Sequence, residues 1–127
     1  MPQLTQIIYK EEVYNIIGAC MEVHNQLGHG FLEAVCQEAL EIEFAERAIN
    51  YEREVPFQIA YKGTVLKHSY IADFLVFDSI ILELKSTTEI HPSHIAQTIN
   101  YLRSSGKKLG LVVNFGKEKL EYKRIVL

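Results

Sequence analysis

A mixed central sheet flanked by helices, of the α/β (α+β) class, is the fold this sequence predicts. Three observations carry it. Two N-terminal segments space their apolar residues as helices do, two short strands at the centre are apolar on both faces, and a further helix leads into two last strands.

Val13, Ile16, Ile17, Cys20, Val23 and Leu27 recur at helical spacing, and Gly28 is placed to end that helix. After Gly28-His29-Gly30 a second helix is expected, with Phe31, Leu32, Val35, Cys36, Ala39, Leu40 and Phe44 on its apolar face and Glu38, Glu41 and Glu46 outside. Glu33 leans toward the apolar side, beside Gln37 and Leu40. An edge strand around residues 54–61 turns at Lys62-Gly63 into a strand running from Thr64 toward Asp73. Residues 70–77 and 80–85, split by Asp78-Ser79, read as a hairpin of two central strands covered on both sides. A helix over 92–103 follows, with Pro92 suited to its first turn. Strands over 108–115 and 119–126, around Gly116, complete the order. With no repeat, linker or low-complexity tract, residues 1–127 are read as one domain.

The composition is that of a water-soluble globular protein, with 48% hydrophobic and 23% charged residues and no apolar run approaching a membrane span. Residues 1–6 lack the charged and apolar regions of a signal peptide. Cys20 and Cys36, on predicted helices and without C-x-x-C spacing, are expected to be buried, reduced thiols of a cytoplasmic protein. The net charge of −3 is unevenly spread: residues 1–54 carry 3 basic and 10 acidic side chains, whereas residues 103–127 carry 7 and 2. That basic end, with Arg103, Lys107 and Lys108, suits either a phosphate-facing surface or a solvated polar face. His91 and His94, three apart at a helix start, could ligate a metal but are read first as capping or solvent-exposed residues. His24, His29 and His68 form no usable pattern.

The most informative residues are Asp73, Glu83 and Lys85, three charges within strands otherwise almost wholly apolar. Burying unpaired charge costs several kcal/mol per ion, about the whole stability of a small domain. A cation-binding catalytic centre would offset that cost; the bland alternative is an ion pair at a sheet edge. The period of two puts Glu83 and Lys85 on one face of their strand, with Leu82 and Leu84 on the other. Asp73 joins them only at the right register. A two-residue loop at Asp78-Ser79 would oppose Phe77 to Ile80 and Asp73 to Leu84, on the wrong side of the sheet. A shared site therefore requires a three-residue connection or a bulge near residues 76–81, setting Asp73 across from Glu83 or Lys85.

Two carboxylates about 4 Å apart repel by roughly 4 kcal/mol at an effective dielectric near 20, so either one is protonated or a cation sits between them. Hard oxygen donors favour Mg²⁺ or Mn²⁺, which keep several waters for substrate phosphate. Lys85 would orient a water or stabilise charge on a scissile phosphate. Metal-assisted phosphodiester hydrolysis uses this set of groups.

The element order, with Asp73 and Glu83-Leu84-Lys85 on adjacent strands, resembles the PD-(D/E)XK nuclease superfamily, which has a restriction-endonuclease-like core. Gly30-Phe31-Leu32-Glu33-Ala34-Val35-Cys36 is similar to the motif that names the GxxExxY proteins, small prokaryotic members of that superfamily. Cys36 stands where the motif has Tyr, removing a hydroxyl, and Ala72 stands where the superfamily's name has Pro. The resemblance implies that Asp73 and Glu83 are metal ligands, with the Leu84 carbonyl as a further oxygen, that Glu33 is a carboxylate aimed at the metal from the preceding helix, and that Lys85 is the catalytic lysine. Gln97-Thr98-Ile99-Asn100-Tyr101 resembles the Q-x-x-x-Y element of RecB-like branches. Its two named side chains share a helix face, where they would hold substrate phosphate or the lysine's surroundings; otherwise they are a capped core tyrosine and a surface glutamine.

The expectation is a Mg²⁺- or Mn²⁺-dependent nuclease acting on nucleic acid, DNA before RNA, with no membrane association. The alternative is a catalytically silent nucleic-acid-binding or protein-assembly module that keeps the fold, as a homodimer or beside a protein partner, because a bare core offers little surface for specificity and its acidic N-terminal half repels DNA. A cleft beside converging carboxylates, with Arg103, Lys107 or Lys108 on its rim, favours the nuclease.

Overall fold

The computed structural model describes residues 7–127. Met1–Gln6, read above for the lack of a signal-peptide pattern, lies outside them. The order is α1 (Lys10–Leu27), α2 (Glu33–Glu46), β1 (Tyr51–Tyr61), β2 (Thr64–Val76), β3 (Ile80–Lys85), α3 (Pro92–Ser105), β4 (Leu109–Asn114) and β5 (Glu121–Val126). The strands form one mixed sheet in the order β1-β2-β3-β4-β5, antiparallel except for the parallel β3–β4 pair joined by α3.

Helix α1 buries Val13, Ile16, Ile17, Cys20 and Val23, and stops at Gly28, whose φ of 74° only glycine adopts freely. Helix α2 starts later than its apolar residues suggest. Its first residue is Glu33, and its fully buried apolar residues are the i, i+4 stripe of Cys36, Leu40 and Phe44, with Ala39 partly buried beside them. Phe31, Leu32 and Val35, expected inside, are 45%, 76% and 37% exposed. The reason is local: Ser86 Oγ donates to the Phe31 carbonyl (2.7 Å) in the extended segment before the helix, and Val35 falls off the buried stripe. Both cysteines are free and buried.

The two faces of the sheet carry separate cores. Ile80, Leu82 and Leu84 of β3, with Leu109, Leu111 and Val113 of β4, pack under α1 and α2. Ile81 and Val112 point the other way, to Leu102 of α3. No helix among the described residues is long and apolar enough to cross a membrane.

Strands β1 and β2 form a ribbon closed by Lys62-Gly63, both at positive φ, as a two-residue hairpin loop with right-handed twist requires. The ribbon changes face midway. Phe74 and Val76 of β2 and Tyr51 of β1 belong to the α1–α2 side, whereas Tyr70 and Ala72 and their neighbours Val55 and Phe57 belong to the α3 side. Strict alternation would keep residues 72, 74 and 76 together. It slips at Asp73 on one strand and at Glu54 on the other, where Glu54 takes φ 54°. Beyond this point residues 64–69 of β2 are exposed on both faces, so the ribbon runs past the helices.

Candidate functional site

Strand pairing decides whether the three charges meet. Val76 opposes Ile80, Leu75 opposes Ile81 and Phe74 opposes Leu82. Phe77, Asp78 and Ser79 therefore make a three-residue connection, with Phe77 and Asp78 at positive φ, and the odd offset required by a shared site is present. Continued by one pair, the register sets Asp73 across from Glu83, on the face of Leu75 and Ile81. Lys85 follows two residues later on that face.

At that point backbone pairing between β2 and β3 gives way to side chains. The Leu84 N–H donates to Asp73 Oδ2 (2.8 Å) and the Asp73 N–H donates to Glu83 Oε2 (3.2 Å), so each carboxylate stitches its own strand to the other's backbone. One oxygen of each is engaged in this way, leaving Oδ1 and Oε1 for another partner. Glu83 is 6% exposed, and burial together with the Asp73 charge pushes its carboxyl far above the ordinary carboxylate range.

Lys85 is half-buried at the end of β3, and none of the four ion pairs among the described residues includes it. Its charge acts on Glu33 at the start of α2, on Glu83, and on His94 in the first turn of α3. Glu33 opens α2 and feels Lys85 and Asp73, with burial raising its carboxyl. One turn on, the buried Gln37 amide donates to the Asp73 carbonyl (3.3 Å) and accepts from Arg53 (3.4 Å), anchoring the helix to the face-switch of the ribbon. Beside Glu33, a cavity of ≈ 480 Å³ is lined by Gly30, Leu32, Ser86, Thr87 and Gly116.

From α3, Tyr101 stacks on Tyr70 with their planes 10° apart, and burial with the charges of Glu83 and Asp73 pushes its hydroxyl up to about 12. Gln97 is exposed one turn earlier on the same helix. His91 and His94 cap α3 reciprocally: the Ser93 N–H donates to His91 Nδ1 (3.0 Å) and the His91 N–H to His94 Nδ1 (3.1 Å), as the capping reading expects.

The donor set suits a hard divalent cation in part. Two carboxylates with one free oxygen each, repelling across a partly buried gap, match the few-ligand, water-rich binding of Mg²⁺ or Mn²⁺. Yet among the described residues no three His, Cys, Asp or Glu side chains stand close enough to hold a metal together, so Glu33 is near the carboxylate pair without joining it.

The sequence matches the PD-(D/E)XK nuclease superfamily over residues 10–125. The chain belongs to this superfamily. Asp73 and Glu83-Leu84-Lys85 thus occupy adjacent strands of a PD-(D/E)XK core, with Ala72 before the aspartate. No curated protein matches the sequence. Among solved structures the fold is similar to the crystal structure of SSO0001, with a TM-score of 0.60 and 20% identity over 93% of this chain. The match covers 59% of that chain, so this PD-(D/E)XK chain spans less than two thirds of it, and the likeness is one of fold.

The basic residues expected on the rim are elsewhere. Ile80 pairs with Leu109 and Lys85 with Asn114, so Lys107 and Lys108, just before β4, sit at the far end of the strands from the carboxylates. Lys107 Nζ donates to the Asp78 carbonyl there (3.0 Å), and Arg103 lies in the last turn of α3 leading to that end. Linear order could not reveal this, because it does not say which end of a parallel strand a neighbouring segment covers.

Several structural supports went unread in the sequence. Asn114, fully buried at the end of β4, accepts from the Thr87 and Gly116 N–H groups and donates to the Thr87 carbonyl, clamping the loop after Lys85. A Cβ on Gly116 would collide with the Thr87 backbone, so only glycine fits. The signal was a lone polar residue closing the apolar run Leu109–Val113. Tyr70, three residues before Asp73, holds a buried hydroxyl with no hydrogen-bond partner, and burial beside Glu83 raises its pKa strongly.

Proposed function

We propose that this protein is a divalent-metal-dependent phosphodiesterase acting on DNA, a GxxExxY member of its superfamily that works in the cytoplasm as one domain over residues 1–127. The observation that carries the reading is the opposition of Asp73 and Glu83 across the splayed β2–β3 pair, with Lys85 on the same face.

In this reading Asp73 and Glu83 would hold Mg²⁺ or Mn²⁺, with the Leu84 carbonyl as a further oxygen and Glu33 as an additional carboxylate from the start of α2. When bound, the ion supplies charge for a phosphoryl oxygen and acidifies a water. The chain's own groups do the rest. Lys85 orients the attacking water and counters charge on the scissile phosphate. Tyr101, its hydroxyl kept protonated, donates to a substrate phosphate, and Gln97 offers its amide one turn away. Gln37 and Asn114 fix the strand and loop on either side of the lysine.

The test is calorimetric titration of Mg²⁺ and Mn²⁺ into wild type and Asp73→Ala, followed by cleavage of plasmid and linear DNA. Saturable binding lost in the variant, with cleavage abolished in both Asp73→Ala and Lys85→Ala, is expected. Wild-type turnover in either variant would overturn the mechanism. The separation of Glu33 from the carboxylate pair favours a second reading, a silent nucleic-acid-binding or assembly module. It predicts nucleic-acid or partner binding with no metal uptake and no cleavage.

A further inference from the structure

Charge is not spread evenly around the ribbon. Between Glu54 and Asp73 there is no acidic residue, although the chain carries 16 acids in 127 residues. The interval instead holds Lys62, Lys67 and His68. Residues 64–69 are exposed on both faces, Tyr61 is 61% exposed at the turn, and the Lys62 ammonium lies 5.5 Å from the Tyr61 ring centroid. A strand segment with neither face covered buries little apolar surface and adds little to the core. Two apolar residues, Val65 and Leu66, also face solvent there.

The ribbon's direction matters as much as its charge. β2 loses its β3 partner at Phe74↔Leu82 and continues with β1 alone, so residues 64–69 overhang the end of the sheet where Lys85 lies. The helix on that side is also free of acids: from Ile90 to Lys117 the chain has none, whereas the 10 acids of residues 1–54 fall largely on α1 and α2, which cover the other face. Past Glu54 the ribbon therefore presents lysines and no carboxylate until Asp73, while Glu52 and Glu54 sit at its base and Glu89 and Glu121 beside the start of α3.

We propose that the β1–β2 ribbon is a duplex-binding arm that enters a groove of DNA and brings a backbone phosphate to Asp73 and Glu83. Two strands spaced about 4.8 Å apart fit a major groove about 12 Å wide. Lys62 and Lys67 contact phosphates on its rims. Lys67 is six residues from Asp73, about 20 Å along an extended strand and less than one duplex turn of roughly 34 Å. The arm deepens the nuclease reading and rests on it for the purpose of binding, while its own test reads binding alone.

The experiment is fluorescence anisotropy of a labelled 20-base-pair DNA duplex across a salt series, in chelator so that no cleavage occurs, with wild type, Lys62→Ala/Lys67→Ala and, as a control on α1, Lys10→Ala. Each phosphate contact adds about 0.9 to the slope of log affinity against log salt. The double variant should therefore lose about 2 from the slope and bind at least tenfold more weakly at low salt, with unchanged circular dichroism and melting; Lys10→Ala should match wild type. A wild-type slope in the double variant overturns the arm, as do absence of duplex binding by wild type and binding to anionic vesicles or single strands in preference to duplex. Duplex binding that depends on the lysines, from a protein that never cleaves DNA with Mg²⁺ or Mn²⁺, would support the arm and sink the nuclease.

Discussion

The two faces of the sheet are built for different purposes. Under α1 and α2, nineteen buried residues among those described form a core of aliphatic side chains and rings, with Phe44 and Tyr51 each meeting Phe74 edge to face. Under α3 the core has seven buried residues among those described, and it ends in Glu83, the stacked pair Tyr70 and Tyr101, and Lys85. The same strands contribute to both, since Leu82 and Leu84 point one way and Ile81, Glu83 and Lys85 the other. One face concentrates the apolar burial that stabilises the fold, which lets the other tolerate charges whose desolvation works against it.

The largest expected effect breaks that division from its stable side. Phe44→Ala should destabilise by about 3–5 kcal/mol, because a fully buried ring leaves a cavity between helix and sheet. In urea unfolding, a loss below about 1 kcal/mol would show that the α1–α2 face is not the main source of stability. Next comes the support of the site. Gly116→Ala forces the Thr87 loop away and should cost about 1–3 kcal/mol. It should also lower cleavage more than its stability loss explains, since Thr87 follows Lys85 by two residues. Equal activity per folded molecule would detach that loop from the chemistry.

How much was readable from the sequence follows the same division. Period-two alternation and the charges at 73, 83 and 85 specified the central strands, and face matching alone demanded the three-residue connection found at Phe77–Ser79. The element order was equally legible, since helical and strand periods differ throughout. The face-switch at Glu54 and Asp73 was not, because a positive φ at a glutamate leaves no compositional trace. Phe31 and Leu32 misled because apolar character does not say whether a helix has begun, and Val35 because it falls beside the stripe that faces the core. The Tyr70 hydroxyl was invisible too: only the fold brings it beside Glu83.

A smaller effect sharpens the cost of the charged face. Glu83→Gln removes a carboxyl whose ionised form is opposed by burial and by the Asp73 charge, and should stabilise the metal-free protein by about 1 kcal/mol or more at pH 8. The sign follows from linkage. Glu83 has a folded pKa raised above its ordinary 4.5, so the folded state holds its proton more tightly than the unfolded one. Its contribution is neutral below pH 4.5 and grows more destabilising as pH climbs through the raised folded value. Urea melts in chelator at pH 5 and pH 8 should show wild type losing more stability than Glu83→Gln between the two. Parallel losses would mean that the carboxylate pair is relaxed without a cation.

The smallest effect on stability bears on whether the α3 face is strained for a reason. Tyr70→Phe deletes a buried hydroxyl that has no partner, while keeping the ring that stacks between Phe57 and Tyr101. An unsatisfied buried hydroxyl costs roughly 1–3 kcal/mol that its removal returns, offset by slight repacking, so the variant should be as stable as wild type or up to about 1 kcal/mol more so. Were the hydroxyl only a packing accident, cleavage would be untouched. In the proposed nuclease its place beside Glu83, three residues from Asp73, would let it donate to a water or phosphate oxygen of the working complex. Tyr70→Phe should then cut kcat severalfold while the unfolding midpoint holds or rises. A stability gain joined to an activity loss is what separates a functional hydroxyl from a structural one.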